Sequence, residues 1–245
     1  MMAVALTPAF AAQTRTDRNA FLLLTALVWT GIIVGFGSDI AKNGFTHPLI
    51  VHFHAVAFVG WLVLLTVQIV LIRNRKYGLH RRLGVAGAFL AAAMVILGPS
   101  AAIVVDGISY AARGRAPIFL SVQLSDIVAF AGLIAAALLL RKHASAHKRL
   151  MLLGTMYISD AGFSRWLGPM ITGQFGHDYW GFFAHLYLPS DLLILGLGVY
   201  DLLSRGRLHP AYLAGVAWAL ANQVTAVSLF FSPQWKPVAL HLIGQ

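Results

Sequence analysis

The sequence predicts an all-α, polytopic membrane helix bundle, and three observations lead to that prediction. Hydrophobic residues make up 59% of the 245 residues and charged residues only 11%, too few to cover a protein surface in water. The apolar residues form seven runs, each close to the roughly 20 residues that a helix needs to cross about 30 Å of hydrocarbon. These runs lack the two-residue alternation of a membrane β-barrel, so we expect helices.

In chain order, the spans follow a plan of one leading helix and three helix pairs. Each pair encloses a basic loop that contains histidine, and these loops begin at Arg73, Arg141 and Arg205. We therefore expect an internal repeat and a single membrane domain over residues 1–245, with residues 1–20 as a cytosolic tail. The seven predicted spans are Phe21–Gly37, Ile50–Ile72, Leu83–Val105, Phe119–Leu140, Leu150–Ile171, Trp180–Leu203 and Ala211–Phe231.

The distribution of Lys and Arg predicts the orientation. The N-terminal tail and the three histidine-containing loops hold 13 of the 18 basic residues, and they all fall on one side of the predicted membrane. By the positive-inside rule, the N-terminus is cytosolic and the C-terminus is outside, in the cell inner (plasma) membrane. Topology thus explains the net charge of +10, so the expected partner is the lipid bilayer and not a nucleic acid.

Composition also excludes several chemistries. The chain has no Cys, which rules out disulfides, thiolate metal sites and covalent haem attachment through Cys. It also has no Glu, so neither a His-Glu-x-x-His zinc helix nor a Glu-x-x-His di-iron site can form. The last span has no Lys, which disfavours a retinal Schiff base there.

Ionisable and polar residues at membrane depth are the candidates for function, because each costs a few kcal/mol or more to bury in lipid. Counted from the span ends, some fall in the outer half of the bundle: His52, His54, Gln123, Asp126, Arg165 and His185. Others fall near the middle or at the inner end of the second span: Asp160, Asp191, Asn222, Gln223 and Gln68.

Helical spacing indicates which of these side chains point into the bundle. His54 and Gln68 share one face with Trp61 in the second span, whereas His52 projects to roughly the opposite side. In the sixth span, the run Pro189–Asp191 is expected to interrupt the helix, because proline removes a backbone donor.

Three functional hypotheses follow from these residues. In the leading one, His54 and His185 ligate a haem b iron and Arg165 pairs with its propionates. Alternatively, a non-haem transition metal is held by a set drawn from His52, His54, Asp126, His185 and Asp191. The chain would then be a membrane oxidoreductase, with a quinone or another membrane redox protein as its electron partner.

Two other hypotheses remain open at the level of sequence. In one, the Asp and Arg residues form a mid-membrane site of a small-solute or ion transporter. In the other, the chain is an assembly scaffold without catalysis. The loop histidines His80, His147 and His209 are expected to cap helix ends, with a shared inner-face ligand as the alternative.

Two loop motifs carry a resemblance to a known family. The motifs are Leu79–Gly84 (Leu-His-Arg-Arg-Leu-Gly) and His147–Met151 (His-Lys-Arg-Leu-Met), the latter leading to Arg165-Trp166-Leu167. Over roughly spans two to five, the chain resembles uncharacterised bacterial and fungal multi-pass membrane proteins of the domain of unknown function 2306 family. The family pattern would place an Arg where this chain has Val85. The resemblance implies an integral membrane protein whose helices start at paired His-basic motifs.

Overall fold

All regular structure is helical in the computed structural model, which describes residues 15–44 and 46–245. The first 14 residues of the predicted cytosolic tail lie outside the described residues. Helix α1 begins within that tail, at Arg15. The helices of the described residues are α1 (Arg15–Asn43), α2 (Leu49–Arg73), α3 (Tyr77–Arg113), α4 (Leu120–Leu139), α5 (Ala144–Tyr157), α6 (Asp160–Phe175), α7 (Tyr179–Arg205), α8 (Pro210–Phe231) and α9 (Trp235–Leu242).

Six of these helices are long and apolar enough to cross a membrane: α1, α2, α3, α4, α7 and α8. They confirm the predicted all-α polytopic fold, and the chain is a multi-pass integral membrane protein. The fifth predicted span, Leu150–Ile171, is not one helix but is divided between α5 and α6. Seven continuous spans were therefore predicted, whereas six helices of the described residues are long and apolar enough to cross.

Helix α5 lies at the centre of the bundle, in contact with α1, α4, α7 and α8. Leu152, Leu153 and Met156 on this helix are each at most 1% exposed and belong to the largest apolar core. A helix buried on nearly every face must pair its polar side chains within the protein. The partners of the α5 polar groups therefore define the interior of the molecule.

Helix α6 packs closely against α1 through small residues. A Cβ atom on Gly35 would lie only 2.0 Å from the carbonyl oxygen of Gly162, and a Cβ on Gly162 would lie 2.7 Å from the carbonyl oxygen of Gly31. Gly31 and Gly35 form the small-xxx-small pattern that lets membrane helices approach one another. This contact holds the start of α6 against α1.

Contacts between helix ends place the basic segments together at one end of the bundle. Lys148 and Arg205 both bind Asp17 near the start of α1, at 2.9 and 2.5 Å. Arg73 at the end of α2 donates to the Asn19 side chain at 2.9 Å. The predicted grouping of the basic segments is thus confirmed for these residues, and the cytosolic assignment of that end stays a prediction.

The predicted interruption of the sixth span is wrong, because α7 runs continuously from Tyr179 to Arg205 with Pro189 inside it. The Ser190 hydroxyl bonds the carbonyl of Tyr187 at 2.9 Å, within the helix itself. The proline ring is buried and packed, so neighbouring helices hold this segment helical despite the lost backbone donor.

Candidate functional site

The fifth predicted span breaks inside the bundle, between Tyr157 at the end of α5 and Asp160 at the start of α6. The Ser159 hydroxyl donates to the Met156 carbonyl at 2.6 Å, a local bond that competes with the helical pattern. The Asp160 side chain accepts a hydrogen bond from the Ala161 amide at 2.7 Å, which supplies a partner in the first turn of the new helix. Ile158 and Ser159 form a tight turn between the two helices: both keep αR backbone angles, and the Ser159 amide bonds the Met156 carbonyl at 3.2 Å.

Asp126 of α4 and Asp160 of α6 bring two carboxyl groups together at this break. Their side chains lie close enough to interact by hydrogen bonding. Asp160 is 3% exposed, whereas Asp126 is half-buried. Among the described residues, no Lys or Arg forms an ion pair with either carboxyl group. The pair is therefore an acidic centre without a direct counter-charge in the described part of the chain.

Two buried tyrosines line the same centre. The Tyr187 hydroxyl of α7 donates to Asp126 Oδ1 at 3.3 Å. The Tyr157 hydroxyl also faces Asp126, yet it has no partner with hydrogen-bond geometry. Both side chains are 0% exposed, and their ring centroids are 6.2 Å apart. The acidic pair thus has one hydroxyl bonded to it and a second one available.

A second polar contact joins α7 to α8. Gln223 Nε2 donates to Asp191 Oδ1 at 2.8 Å, while Gln223 Oε1 is buried without a partner. Asn222 bonds a carbonyl of its own helix at 2.8 Å. The side-chain oxygens of Gln68 and Gln123 are also buried and unpartnered. These amides leave acceptors open inside the bundle.

Arg165 and His54 form a separate group between α1, α2 and α6. Arg165 is exposed, donates to a carbonyl of its own helix at 2.5 Å and lies over the Phe36 ring at 4.5 Å. It interacts electrostatically with His54 and with Asp39. The His54 Nδ1 atom is buried and has no hydrogen-bond partner. The predicted inward face of α2 is confirmed by the burial of Trp61.

His185 lies in a different place, against α6. Its Nδ1 shares a hydrogen bond with Thr172 Oγ1 at 2.7 Å, and the ring also bonds the backbone of Gly168. A Cβ atom on Gly168 would lie 2.5 Å from the imidazole, so glycine makes room for the ring. With His177 and Phe182, His185 lines a pocket of 490 Å³ between α6 and α7. His185 therefore contacts α6, whereas His54 interacts electrostatically with Arg165.

The predicted haem and metal ligand sets stay predictions. Within residues 15–44 and 46–245, no group of three or more His, Asp or Glu side chains is arranged to hold a metal ion. His52 is half-buried in the first turn of α2. Of the predicted metal ligands, Asp126 contacts Asp160 and Asp191 contacts Gln223.

The sequence analysis missed a buried ion pair at the basic end of the bundle. Arg149 of α5 binds Asp201 of α7 through two bonds of 2.7 and 2.5 Å, and both side chains are 0% exposed. A third bond runs from the guanidinium to the Ser145 carbonyl at 2.8 Å. The signal that could have predicted this pair was an aspartate near the inner end of the sixth span, level with the basic loops.

Asp17 of α1 is the second acidic centre at this end. It accepts hydrogen bonds from Lys148, Arg205 and Tyr200. Burial alone would raise the pKa of the Asp17 carboxyl, but the bonds from Arg205, Tyr200 and Lys148 outweigh it and hold the pKa at about 2. These contacts join α1, α5 and α7, so the network closes the basic end of the bundle.

The capping role predicted for the loop histidines is confirmed for His209. Its Nδ1 accepts the Ala211 amide of α8 at 3.0 Å, and burial lowers its pKa to about 4, helped by the charge of Arg149. His147 Nδ1 bonds the carbonyl of Ala137 in α4 at 2.8 Å. His80 interacts electrostatically with His147.

Comparisons with known proteins identify no relative. No protein family, no curated protein and no solved structure matches the chain. The resemblance to the domain of unknown function 2306 family therefore stays a prediction, and the internal repeat likewise.

Proposed function

We propose that this integral membrane protein is a proton-coupled transporter whose proton site is the carboxyl pair of Asp126 and Asp160. The observation that carries the proposal is the contact of two carboxyl groups from separate helices at a helix break. Two like charges held together away from water repel strongly, so the pair retains a proton at neutral pH. Ionisable groups inside a membrane bundle mark ion and proton pathways.

The surroundings of the pair suit reversible proton binding. When Asp126 loses a proton, Tyr187 already donates to the carboxylate at 3.3 Å, and the unpartnered hydroxyl of Tyr157 can supply a second donor. Discontinuous helices form the ion sites of many secondary transporters. The turn at Ser159 places Asp160 in the first turn of a separate helix and not within a continuous one.

The proposal is tested on the purified full-length protein in liposomes. Infrared spectroscopy at neutral pH reports the carbonyl stretch of a protonated carboxyl group, and an enclosed pH-sensitive dye reports proton uptake driven by an imposed pH gradient. We expect Asp126→Asn and Asp160→Asn each to remove the protonated-carboxyl band and to lower proton flux at least tenfold.

Asp178→Asn is the matched control, since it also removes one carboxyl group. Asp178 caps α7 by accepting the Gly181 amide at 2.8 Å, and asparagine caps equally well. The control should keep both the band and the flux. A band that persists in both pair variants, or wild-type liposomes without proton flux, would overturn the proposal.

The redox cofactor predicted from the sequence is the second candidate function. The unpartnered Nδ1 of His54 favours it, because a ligating imidazole needs a free nitrogen. A reduced-minus-oxidised visible spectrum with metal analysis tests it. A Soret band lost in both His54→Ala and His185→Ala would support haem b, with a quinone or another membrane redox protein as electron partner. A colourless, metal-free protein would exclude the redox cofactor. If the chain is an assembly scaffold, it should show neither a chromophore nor proton flux.

A further inference from the structure

A second polar cluster lies between α1, α2 and α6, around the guanidinium of Arg165. The Arg165 side chain is exposed, although it belongs to a helix that begins inside the bundle. Phe36 of α1 lies against the face of the guanidinium at 4.5 Å. Stacking uses the face of the group, so the N–H donors at its edge stay available.

The donors of Arg165 are largely unused within the described residues. A guanidinium group has five N–H donors. Among the described residues, that of Arg165 donates one hydrogen bond, to the Ala161 carbonyl at 2.5 Å. No carboxylate of the described residues forms an ion pair with it. A charged group at membrane depth is costly unless a partner or water meets it.

His54 of α2 provides an independent second observation. Its Nδ1 is buried and unpartnered, and the ring lies within electrostatic range of Arg165. His54 is five residues from the start of α2, which places it roughly 8 Å inside that end of the helix. His54 therefore lies near the end of the bundle opposite the basic segments.

We propose that Arg165 and His54 bind an oxyanion, a carboxylate or a phosphate, that enters from this end. The guanidinium edge can hold two oxygens of such a group, and the imidazole nitrogen can donate to one of them. Binding would supply the counter-charge for Arg165 and the missing partner for His54 at the same time.

The site lies beside the acidic pair, and this suggests the class of transported substrate. Asp160 stands five residues before Arg165 and acts on it electrostatically. The charged and titratable groups that face Arg165 are Asp39 from α1, His54 from α2 and Asp160 from α6. An anion bound here and a proton on the pair would move together without net charge. This role rests on the proposed proton site, whereas anion binding itself does not.

The test measures binding to the full-length protein in a neutral detergent. Sodium acetate and sodium phosphate are titrated at constant ionic strength, and the dissociation constant is taken from the shift in unfolding temperature. We expect saturable binding that Arg165→Gln weakens at least tenfold and that Arg165→Lys weakens less. Arg113→Gln is the matched control, since Arg113 is exposed at the end of α3 and should bind like the wild type.

A lipid headgroup offers the same chemistry, so a second arm uses nanodiscs with and without phosphatidylglycerol. Native mass spectrometry then counts retained lipids. If the wild type retains phosphatidylglycerol and Arg165→Gln does not, the oxyanion belongs to a lipid. Saturable binding of acetate or phosphate assigns it to a soluble anion. Either result supports the site. Equal affinity in Arg165→Gln and the wild type, or no binding in either arm, overturns it.

Two further variants separate folding and proton effects from binding. His54→Gln removes the imidazole without touching Arg165 and should weaken binding severalfold, so a misfolded Arg165→Gln does not end the test. Asp126→Asn should keep saturable anion binding, because neither Arg165 nor His54 is changed. Loss of proton flux with intact anion binding, or the reverse, then distinguishes failure of the proton site from failure of the anion site.

Discussion

Removing one partner of the buried ion pair between Arg149 and Asp201 should destabilise the protein strongly. Removing both partners together should destabilise it much less. Neither side chain is exposed, and the bonds are 2.7 and 2.5 Å long. Asp201→Leu removes the carboxylate that Arg149 binds and that Arg205 approaches at 3.6 Å, and the Ser145 carbonyl at 2.8 Å is a neutral acceptor that does not replace it. Breaking a buried pair in this way costs about 3–5 kcal/mol of unfolding free energy.

The double variant Arg149→Met with Asp201→Leu removes both charges and replaces them with apolar side chains of similar size. Replacing a whole buried ion pair is often neutral or stabilising. We therefore expect the double variant to recover most of the loss and to lie within about 1 kcal/mol of the wild type. This recovery distinguishes an uncompensated charge from lost packing.

The assay is reversible unfolding in mixed micelles, with increasing sodium dodecyl sulfate and circular dichroism as the readout. Arg141→Met is the control, because Arg141 is exposed and, among the described residues, bonds the nearby Leu138 carbonyl at 3.1 Å. Its effect should stay within about 0.5 kcal/mol. A loss of unfolding free energy below about 1 kcal/mol for Asp201→Leu would refute the reasoning. So would a double variant whose loss equals the sum of the losses of Asp201→Leu and Arg149→Met measured singly.

Two other predictions concern the helix contact and the capping histidine. Gly35→Ala should separate α1 from α6 and lower the unfolding temperature, because its Cβ would lie 2.0 Å from the Gly162 carbonyl oxygen; Gly37→Ala, with nothing within 4 Å, should have little effect. His209 has a pKa lowered to about 4 from the usual 6.5, so its contribution to stability is complete above pH 6.5 and is lost as the pH falls towards 4. That loss is worth about 3 kcal/mol. His209→Asn keeps a capping acceptor and should flatten the pH dependence of unfolding; an unchanged slope would contradict this assignment.

The candidate site was only partly predictable from the sequence. Asp126 and Asp160 could be recognised one at a time, because each is an acidic residue in an apolar run. Their contact could not, since helical spacing relates residues of one helix and leaves the pairing between helices open. Tyr157 and Tyr187 were overlooked because tyrosine was counted among the hydrophobic residues, yet both hydroxyls face the acidic pair.

The position of the helix break shows the same limit. Proline at 189 is the stronger local signal, but α7 continues through it, whereas the chain breaks at Ser159 where no proline stands. Tertiary packing overrides the local helix propensity of a buried segment. The Ser159 hydroxyl bond and the close approach of Gly162 to α1 favour a new helix at Asp160.

Sequence alone determined the class of this protein and the grouping of its basic segments. Hydrophobicity and span length are local properties, and a membrane selects helices because no water satisfies the backbone in its interior. Which polar side chains meet was decided only by the tertiary structure. Interactions such as those of Asp126 with Asp160, Arg149 with Asp201 and, electrostatically, Arg165 with His54 join residues far apart in the chain. They depend on how whole helices rotate and pack, and no pattern within a single helix specifies that rotation.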